Sequence, residues 1–125
     1  MWKTLNYTNF KGQIHIISGN VKDEITLKKV ASQFPHVKYY GEKGKIEIDN
    51  KKIAFVHFKE EAEKLAAENK YDLVVFGHTH QSEIQNLNQA QLINPGTVGG
   101  LYNKATFILY DTKTGAVEIK ELDNL

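Results

Sequence analysis

The stretch Asp72–Gln81, which reads DLVVFGHTHQ, joins a short apolar run to a glycine and two histidines. The apolar run contains β-branched residues and does not alternate with polar ones, which is typical of a strand covered on both faces. Such strands belong to layered α/β folds, so Leu73–Phe76 predicts this fold class. Gly77, His78 and His80 then follow the strand at its carboxyl end, where open α/β sheets place their ligand sites.

The rest of the sequence predicts two layers of sheet with helices beside them. Helical spacing of apolar residues predicts one helix that ends before Pro35 and a second over Glu60–Asn69. Two hairpins are predicted, one around the turn Asp49–Lys52 and one around Asp111–Gly115. The predicted strands besides Leu73–Phe76 are Gln13–Ser18, Lys45–Asp49, Ile53–Phe58, Glu83–Leu87, Gln91–Ile93, Ala105–Tyr110 and Ala116–Lys120. We therefore expect one α/β domain over residues 1–125, forming part of a two-sheet β-sandwich flanked by helices.

The composition excludes several classes of function. The chain has 125 residues and a formal net charge of +1, which gives no electrostatic footprint for nucleic acid or an anionic membrane. It contains no cysteine, so disulfides, zinc-thiolate sites and cysteine nucleophiles are excluded, and the reducing cytoplasm is the expected compartment. No apolar run approaches the ~20 residues of a membrane-spanning helix. The sequence also lacks a nucleophile-elbow serine, a phosphate loop and a dinucleotide-binding motif.

The two histidines of GHTH are the first candidates for chemistry. Imidazoles one residue apart can supply nitrogens to a single metal ion or to two neighbouring ions. An isolated HxH pair is more often part of an exposed loop. The position after a buried strand and a glycine favours the metal site over the loop. His15, inside a strand, and His36, after a proline, lack this context, and we assign both to structure.

Three further features lie at predicted strand ends. Asn20 follows a strand and Gly19, so its amide oxygen can be a metal ligand, or the residue can simply begin a turn. His57 ends the predicted strand IAFVH and is either a ligand or a buried, hydrogen-bonded histidine. The segment Asn94–Thr97 follows another strand, and by itself it is typical of an ordinary Pro-Gly turn.

Four motifs taken together resemble one known family. They are SGN (Ser18–Asn20), FVH (Phe55–His57), FGHTH (Phe76–His80) and INPGT (Ile93–Thr97). In order and spacing they resemble the calcineurin-like metallophosphoesterases, and most of all their small prokaryotic phosphodiesterase branch, often called YfcE-type. The resemblance implies the calcineurin-like phosphoesterase fold, a sandwich of two β-sheets flanked by helices. It also implies a two-metal site that hydrolyses phosphoester bonds with an activated water.

The resemblance implies roles for individual residues. Asn20, His57 and His78 would bind one divalent metal ion, and His80 would bind the other. Manganese is the expected ion, with nickel, iron, zinc and magnesium as alternatives, and a small phosphoester is the expected substrate. Four residues would support the loops that carry these ligands, namely Gly19, Gly77, Asn94 and Gly96.

The sequence departs from the family pattern in its carboxylate ligands. The family begins with a strand carrying DxH and continues to GDxxD, and neither motif occurs here. We therefore expect a single partial domain that lacks the N-terminal β-α units of the fold and is incomplete or inactive alone. Phe58 and Lys59 also replace the GH that usually follows the residue equivalent to His57.

Two functions remain open. The first is a metal-dependent phosphoesterase, and the alternative is a non-catalytic scaffold or interaction module, as in the eukaryotic retromer subunit that keeps this fold. A partial fold should expose an apolar sheet edge and face. We therefore expect a second copy of the chain or a separately encoded N-terminal half as partner, and neither nucleic acid nor a membrane.

Overall fold

A five-stranded mixed sheet forms the centre of the molecule. The computed structural model describes residues 12–19, 24–99 and 104–124, which contain nine β-strands, two α-helices and a 3-10 helix at Leu122–Asn124. The strands are β1 (Ile14–Ile16), β2 (Val37–Tyr39), β3 (Lys43–Ile48), β4 (Lys51–Val56), β5 (Leu73–Val75), β6 (Glu83–Leu87), β7 (Ala90–Asn94), β8 (Thr106–Tyr110) and β9 (Val117–Glu121). The helices are α1 (Glu24–Gln33) and α2 (Lys59–Ala67). Neither helix of the described ranges has the length and apolarity needed to cross a membrane.

The central sheet has the strand order β3-β4-β5-β7-β6. Its three inner strands run parallel, with Val74 of β5 opposite Ala54 of β4 on one side and Leu92 of β7 on the other. The outer strands β3 and β6 are antiparallel to their neighbours. Inner strands of this kind are covered on both faces, which explains the apolar run without alternation at β5. The three parallel strands end at one edge of the sheet, and that edge carries the candidate site.

Helix α2 covers one face of the central sheet. It provides the crossover from β4 to β5 that two parallel neighbours require. Its buried stripe consists of Ala62, Leu65 and Ala66, at helical spacing. The stripe packs in one cluster with buried residues of the inner strands, among them Ala54, Val56, Val74 and Leu92. The predicted amphipathic helix on a sheet face is confirmed.

The hairpin of β8 and β9 covers the opposite face of the central sheet. One cluster joins the two layers, with Ile53, Leu73 and Ile93 from the central sheet and Ile108, Tyr110 and Val117 from the hairpin. Leu73 and Ile93 are 3% and 0% exposed, so this boundary excludes water. Burial of an aliphatic side chain of this size stabilises a fold by roughly 1.5–3 kcal/mol. The two packed sheets, with α2 on the outside, form the sandwich that the sequence predicts.

Strands β1 and β2 form a separate small parallel sheet. Ile14 lies opposite Val37, and α1 packs on this pair through Val30. Tyr40 and Phe55 meet edge to face, with ring centroids 5.3 Å apart, and this contact connects the small sheet to β4. The unit β1-α1-β2 therefore packs mainly on itself.

Part of the central sheet next to β1 lines an apolar cavity of about 410 Å³. Its walls include Ile17, Ile46, Phe55 and Val75. A space of this size is within the range of ligand-binding clefts, roughly 300–1,000 Å³, and its lining is mainly aliphatic and aromatic but also includes His15 and His57. Within the described residues, the sheet thus leaves apolar surface without a packed partner.

Two predictions about the strands need correction. The first hairpin turns through Asp49 and Asn50 alone, because both adopt left-handed backbone, with φ of 50° and 67°. This geometry gives a two-residue hairpin turn, so the strands extend up to it instead of leaving a four-residue loop. The predicted pairing of these two strands is confirmed, and Ile46 and Ile53 are direct register partners. Strand β2 is absent from the predicted strands, and its pairing with β1 is what defines it.

Candidate metal centre

Three parallel strands bring candidate residues to one edge of the central sheet. His57 follows β4, Gly77 and His78 follow β5, and Asn94 is the last residue of β7. Because β4, β5 and β7 are parallel neighbours, their carboxyl ends lie side by side. The Gly77 N–H donates a hydrogen bond to the carbonyl oxygen of His57 at 2.9 Å, which ties the first two loops together. Residues that are far apart in the chain therefore meet at this edge.

The imidazole rings of His57 and His78 lie against each other. Their centroids are 5.2 Å apart and their planes meet at 75°. Phe58 contacts both rings, with its centroid 4.9 Å from each. Its side chain is 40% exposed, so it contacts the pair at the solvent-facing side, where His78 is itself exposed. Sequence reasoning did not assign Phe58 to the site, although an aromatic residue directly after a candidate ligand was a usable signal.

The His57 ring occupies a slot between two glycines. A Cβ added to Gly19 would lie 3.2 Å from Nδ1 and Cε1 of His57, and one added to Gly77 would lie 3.7 Å from Nδ1. The absence of side chains at these positions gives the ring its space. Nε2 of His57 is buried and has no hydrogen-bond partner among the described residues. A buried polar atom left in this state costs on the order of 1–3 kcal/mol unless water, a ligand or an ion meets it.

Burial lowers the pKa of the His57 imidazole below its usual value. The neighbouring rings of His78 and His80 lower this pKa further, and the carboxylate of Glu61 acts in the opposite direction. The folded protein therefore favours the neutral form of His57 at neutral pH. Metal ions bind the neutral imidazole, because only that form has a free nitrogen lone pair.

The two histidines of GHTH have different surroundings. His78 packs against His57. His80 instead lines a cavity of about 340 Å³ beside the β8-β9 hairpin, together with Lys104 and Thr106. His78 and His80 both have left-handed backbone, with φ of 68° and 61°. Positive φ is uncommon for non-glycine residues, although histidine adopts it more often than most, and two such residues in one loop mark a tightly turned segment.

Asn94 joins the GHTH loop to the turn that follows β7. Its side chain is fully buried, and Nδ2 donates to the Gly77 carbonyl oxygen at 3.2 Å and to Thr79 Oγ1 at 2.8 Å. The Gly96 N–H donates to Asn94 Oδ1 at 2.9 Å. Gly77, Asn94 and Gly96, which the family resemblance assigns to loop support, thus belong to one hydrogen-bonded unit.

The described residues fit a metal ion in part. His57 and His78 offer two adjacent imidazoles, and Nε2 of His57 lacks a partner. Within the described ranges there is no group of three or more His, Cys, Asp or Glu side chains placed to hold a metal ion. Asn20, the expected oxygen ligand, lies outside the described residues. The described part of the chain therefore supplies the imidazole portion of such a site.

His15 and His36 make contacts that agree with the structural roles assigned to them. Nδ1 of His15 and the Tyr40 hydroxyl form a hydrogen bond at 2.8 Å. Burial lowers the pKa of His15, and the charge of Lys38, its register partner on β2, lowers it further. His36 packs edge-on against Phe34, with centroids 6.2 Å apart.

The sequence matches the profile of the calcineurin-like phosphoesterase superfamily domain over residues 3–115. The chain belongs to this superfamily. The family expected from the four sequence motifs is thereby confirmed, and calcineurin-like phosphoesterases use divalent metal ions. A search of curated proteins gave no significant match.

Solved structures show the same fold. This calcineurin-like chain is similar to an archaeal phosphodiesterase with a TM-score of 0.80 and 23% identity, over 93% of this chain and 73% of that one. It is similar to Vps29 of Entamoeba histolytica in complex with Zn²⁺, with a TM-score of 0.55 and 17% identity over 98% and 88% of the two chains. A third relative is a conserved protein of Streptococcus pneumoniae described as a predicted phosphoesterase, with a TM-score of 0.57 and 13% identity over 89% and 90%. Identities of this size establish the fold alone, and that fold is the one expected from the sequence.

Proposed function

We propose that this chain carries the histidine part of a two-metal phosphodiesterase centre of the small prokaryotic YfcE-type branch. In this proposal Asn20, His57 and His78 bind one divalent ion, preferentially Mn²⁺, and His80 binds the other. The observation that carries the proposal is Nε2 of His57, which is buried, has no partner among the described residues and belongs to a ring packed on His78. Membership of a metal-using family supports the same assignment.

The side chains of this site would bind and orient, and the substrate would be a small phosphoester. When bound, the two ions would clamp the phosphate, lower the pKa of an attacking water and stabilise the leaving oxygen. Gly19 leaves room for the His57 ring, and the lowered pKa of this ring favours its neutral form. Phe58 packs against the rings of both histidines. No protein nucleophile is required, in agreement with a sequence that has no cysteine and no nucleophile-elbow serine.

Metal binding is tested by thermal unfolding with and without MnCl₂. We expect Mn²⁺ at about 100 times its Kd to raise the unfolding temperature by on the order of 10 °C. His78→Ala should remove most of this shift. His36→Ala is the matched control, because it also removes an imidazole whose buried Nε2 lacks a partner, but outside the site. A wild-type chain without any shift, or a His78→Ala variant that keeps all of it, would show that the metal proposal is wrong.

Catalysis is a separate claim, because the sequence lacks DxH and GDxxD. We propose that hydrolysis requires a polypeptide segment that supplies these carboxylates. The purified chain with Mn²⁺ should not hydrolyse bis(p-nitrophenyl) phosphate, and adding a polypeptide that carries both motifs should restore turnover. Mn²⁺-dependent turnover by the chain alone, lost in His78→Ala, would instead show that the carboxylates are dispensable.

A non-catalytic scaffold is the second candidate, and a different observation supports it. Large apolar side chains are exposed on several strands, with Ile84 of β6 at 45% and, on opposite faces of the hairpin, Leu109 of β8 at 51% and Ile119 of β9 at 38%. Exposed apolar surface of this kind is used for protein contacts, and the similarity to Vps29, a vacuolar protein sorting protein, favours the same use of the fold. The partner would be a second copy of the chain or the N-terminal half. The absence of cysteine supports a cytoplasmic location for either function.

The oligomeric state distinguishes the two candidate functions, an incomplete phosphodiesterase and a non-catalytic scaffold. Size-exclusion chromatography with light scattering should give a stable dimer, or a complex with a co-purifying protein, if the chain is an interaction module. A monomer that aggregates with time supports an incomplete enzyme. The same measurement on Leu109→Lys should leave the mass unchanged if the outer face of the β8-β9 hairpin takes no part in association.

A further inference from the structure

Asn94 is a fully buried polar residue whose hydrogen bonds link two loops. The Gly96 N–H can only donate, so the atom it meets at 2.9 Å must be the side-chain oxygen Oδ1 of Asn94. The amide nitrogen Nδ2 then faces the Gly77 carbonyl, which can only accept, and Thr79 Oγ1. The two backbone groups therefore fix the orientation of the Asn94 amide.

The loop that Asn94 contacts does not adopt a relaxed backbone. His78 and His80 have φ of 68° and 61°, and Thr79 lies between them. Left-handed backbone costs a non-glycine residue roughly 1–2 kcal/mol, so two such residues need support from outside the loop. Within the loop, the Thr79 N–H donates to the Gly77 carbonyl oxygen at 2.8 Å. Asn94 donates to that same carbonyl oxygen and to the Thr79 hydroxyl. Its side chain is therefore hydrogen-bonded to the first and the last residue of the turn.

We propose that Asn94 and Thr79 are positioning residues that hold His78 and His80 in their left-handed conformations, an inference that rests on the metal-binding function proposed above. Neither residue needs to touch an ion. Thr79 is exposed, and its hydroxyl accepts the shortest of the Asn94 hydrogen bonds, at 2.8 Å. Outer residues that orient metal ligands in this way commonly change metal affinity by 10–100-fold when they are replaced.

Three variants separate the effect of the hydrogen bond between Asn94 and Thr79 from a general loss of stability. Thr79→Val keeps the shape of the exposed side chain and removes the acceptor, whereas Thr79→Ser keeps the acceptor. Asn94→Asp places a second acceptor opposite the Gly77 carbonyl oxygen. Ile93→Val is the matched control, because it removes a buried methyl-sized group from the same strand without touching the GHTH loop.

The first measurement uses the metal-free protein and ¹⁵N relaxation of the backbone amides of residues 78–80. In the wild type and in Ile93→Val, we expect order parameters near those of β5, about 0.85. In Thr79→Val they should fall below about 0.6, and Thr79→Ser should restore them. Asn94→Asp should lower the order parameters as Thr79→Val does. If Asn94→Asp does not fold, the Thr79 variants alone decide the result, because Thr79 is exposed. Unchanged order parameters in Thr79→Val would overturn the inference.

The second measurement titrates MnCl₂ into the same proteins by calorimetry. We expect about a tenfold loss of Mn²⁺ affinity in Thr79→Val, recovery in Thr79→Ser and no change in Ile93→Val. Equal affinities in wild type and Thr79→Val would overturn the link to metal binding. If the wild type does not bind Mn²⁺, the proposed function fails, and the relaxation data still decide whether Asn94 and Thr79 hold the loop.

Discussion

At the scale of single residues, one glycine sets the packing between β4 and the small β1-β2 sheet. Gly44 lies opposite Phe55 in the β3-β4 register, and a Cβ at this position would overlap the Phe55 ring. That ring is also held by Tyr40, edge to face, and by His15. It cannot move aside without losing these contacts. The missing side chain of Gly44 therefore creates the space that the aromatic cluster occupies.

Gly44→Ala should destabilise the fold by about 1–3 kcal/mol, because the added methyl group overpacks the space under Phe55. Urea denaturation measures the free energy of unfolding. In a Phe55→Ala background the same change should be neutral or slightly stabilising, since alanine suits a strand interior better than glycine. An equal loss in both backgrounds would mean that the Phe55 ring is not what requires the glycine.

The candidate ligands differ in how far sequence alone could place them. His57 and His78 could be predicted as neighbours at strand ends, because the apolar runs before them define the strands locally. The left-handed backbone of His78 and His80 could not be predicted, since Asn94 holds it from a different strand. The sequence around His78 and His80 does not indicate that Asn94 contacts this loop.

At the scale of elements, the β3-β4 hairpin shows how turn chemistry sets strand length. Asp49 and Asn50 both have positive φ, and such two-residue turns match the natural twist of the strands on either side. Asparagine tolerates this backbone better than most residues, and glycine tolerates it best. The sequence Asp-Asn-Lys-Lys predicts a turn but leaves its length open, since lysines occur both in turns and on exposed strand positions.

Asn50→Gly should stabilise the protein by about 0.5–1 kcal/mol, because glycine adopts the required φ without steric cost. Asn50→Ala should destabilise it by roughly 1 kcal/mol for the opposite reason. Asn86→Gly is the matched control, because Asn86 lies inside strand β6, where glycine should cost about 0.5–1 kcal/mol. If both glycine variants shift the urea midpoint in the same direction, the backbone conformation at the turn does not explain the change in stability of Asn50→Gly.

Most elements could be predicted from the sequence, and strand β2 is the exception for a physical reason. Helix α2 and the central strands have apolar patterns that identify them without knowledge of their neighbours. Strand β2 has three residues, of which only Val37 is buried, and it becomes a strand through parallel pairing with β1. A contact between segments separated by a helix is not visible in a local pattern.

At the scale of the whole molecule, buried apolar residues are unevenly distributed. The central sheet is packed by α2 on one face and by the β8-β9 hairpin over part of the other. In the unit β1-α1-β2, the buried apolar residues of the described ranges are Val30 and Val37. Local opening costs less free energy where less apolar surface is buried. The two parts of the molecule should therefore differ in local stability.

Hydrogen exchange followed by mass spectrometry tests this difference. Peptides that cover β1 and β2 should exchange through local opening, about 10–1,000-fold faster than those covering β5 and β7, which should exchange only on global unfolding. Mild urea should accelerate exchange in the central strands more strongly than in β1 and β2. Equal protection in both regions would show that the small sheet unfolds together with the central one.

The left-handed backbone of the GHTH loop limits how this loop can change during evolution. At positions 78 and 80, β-branched residues are excluded by their side chains, whereas glycine, asparagine and aspartate are tolerated. Asparagine and aspartate offer oxygen atoms where histidine offers nitrogen. In a metal-binding loop, substitution by asparagine or aspartate would thus replace nitrogen ligands by the oxygen ligands that magnesium prefers. If the proposed site binds a metal ion, such substitutions would change the preferred ion while keeping a ligand atom at these positions.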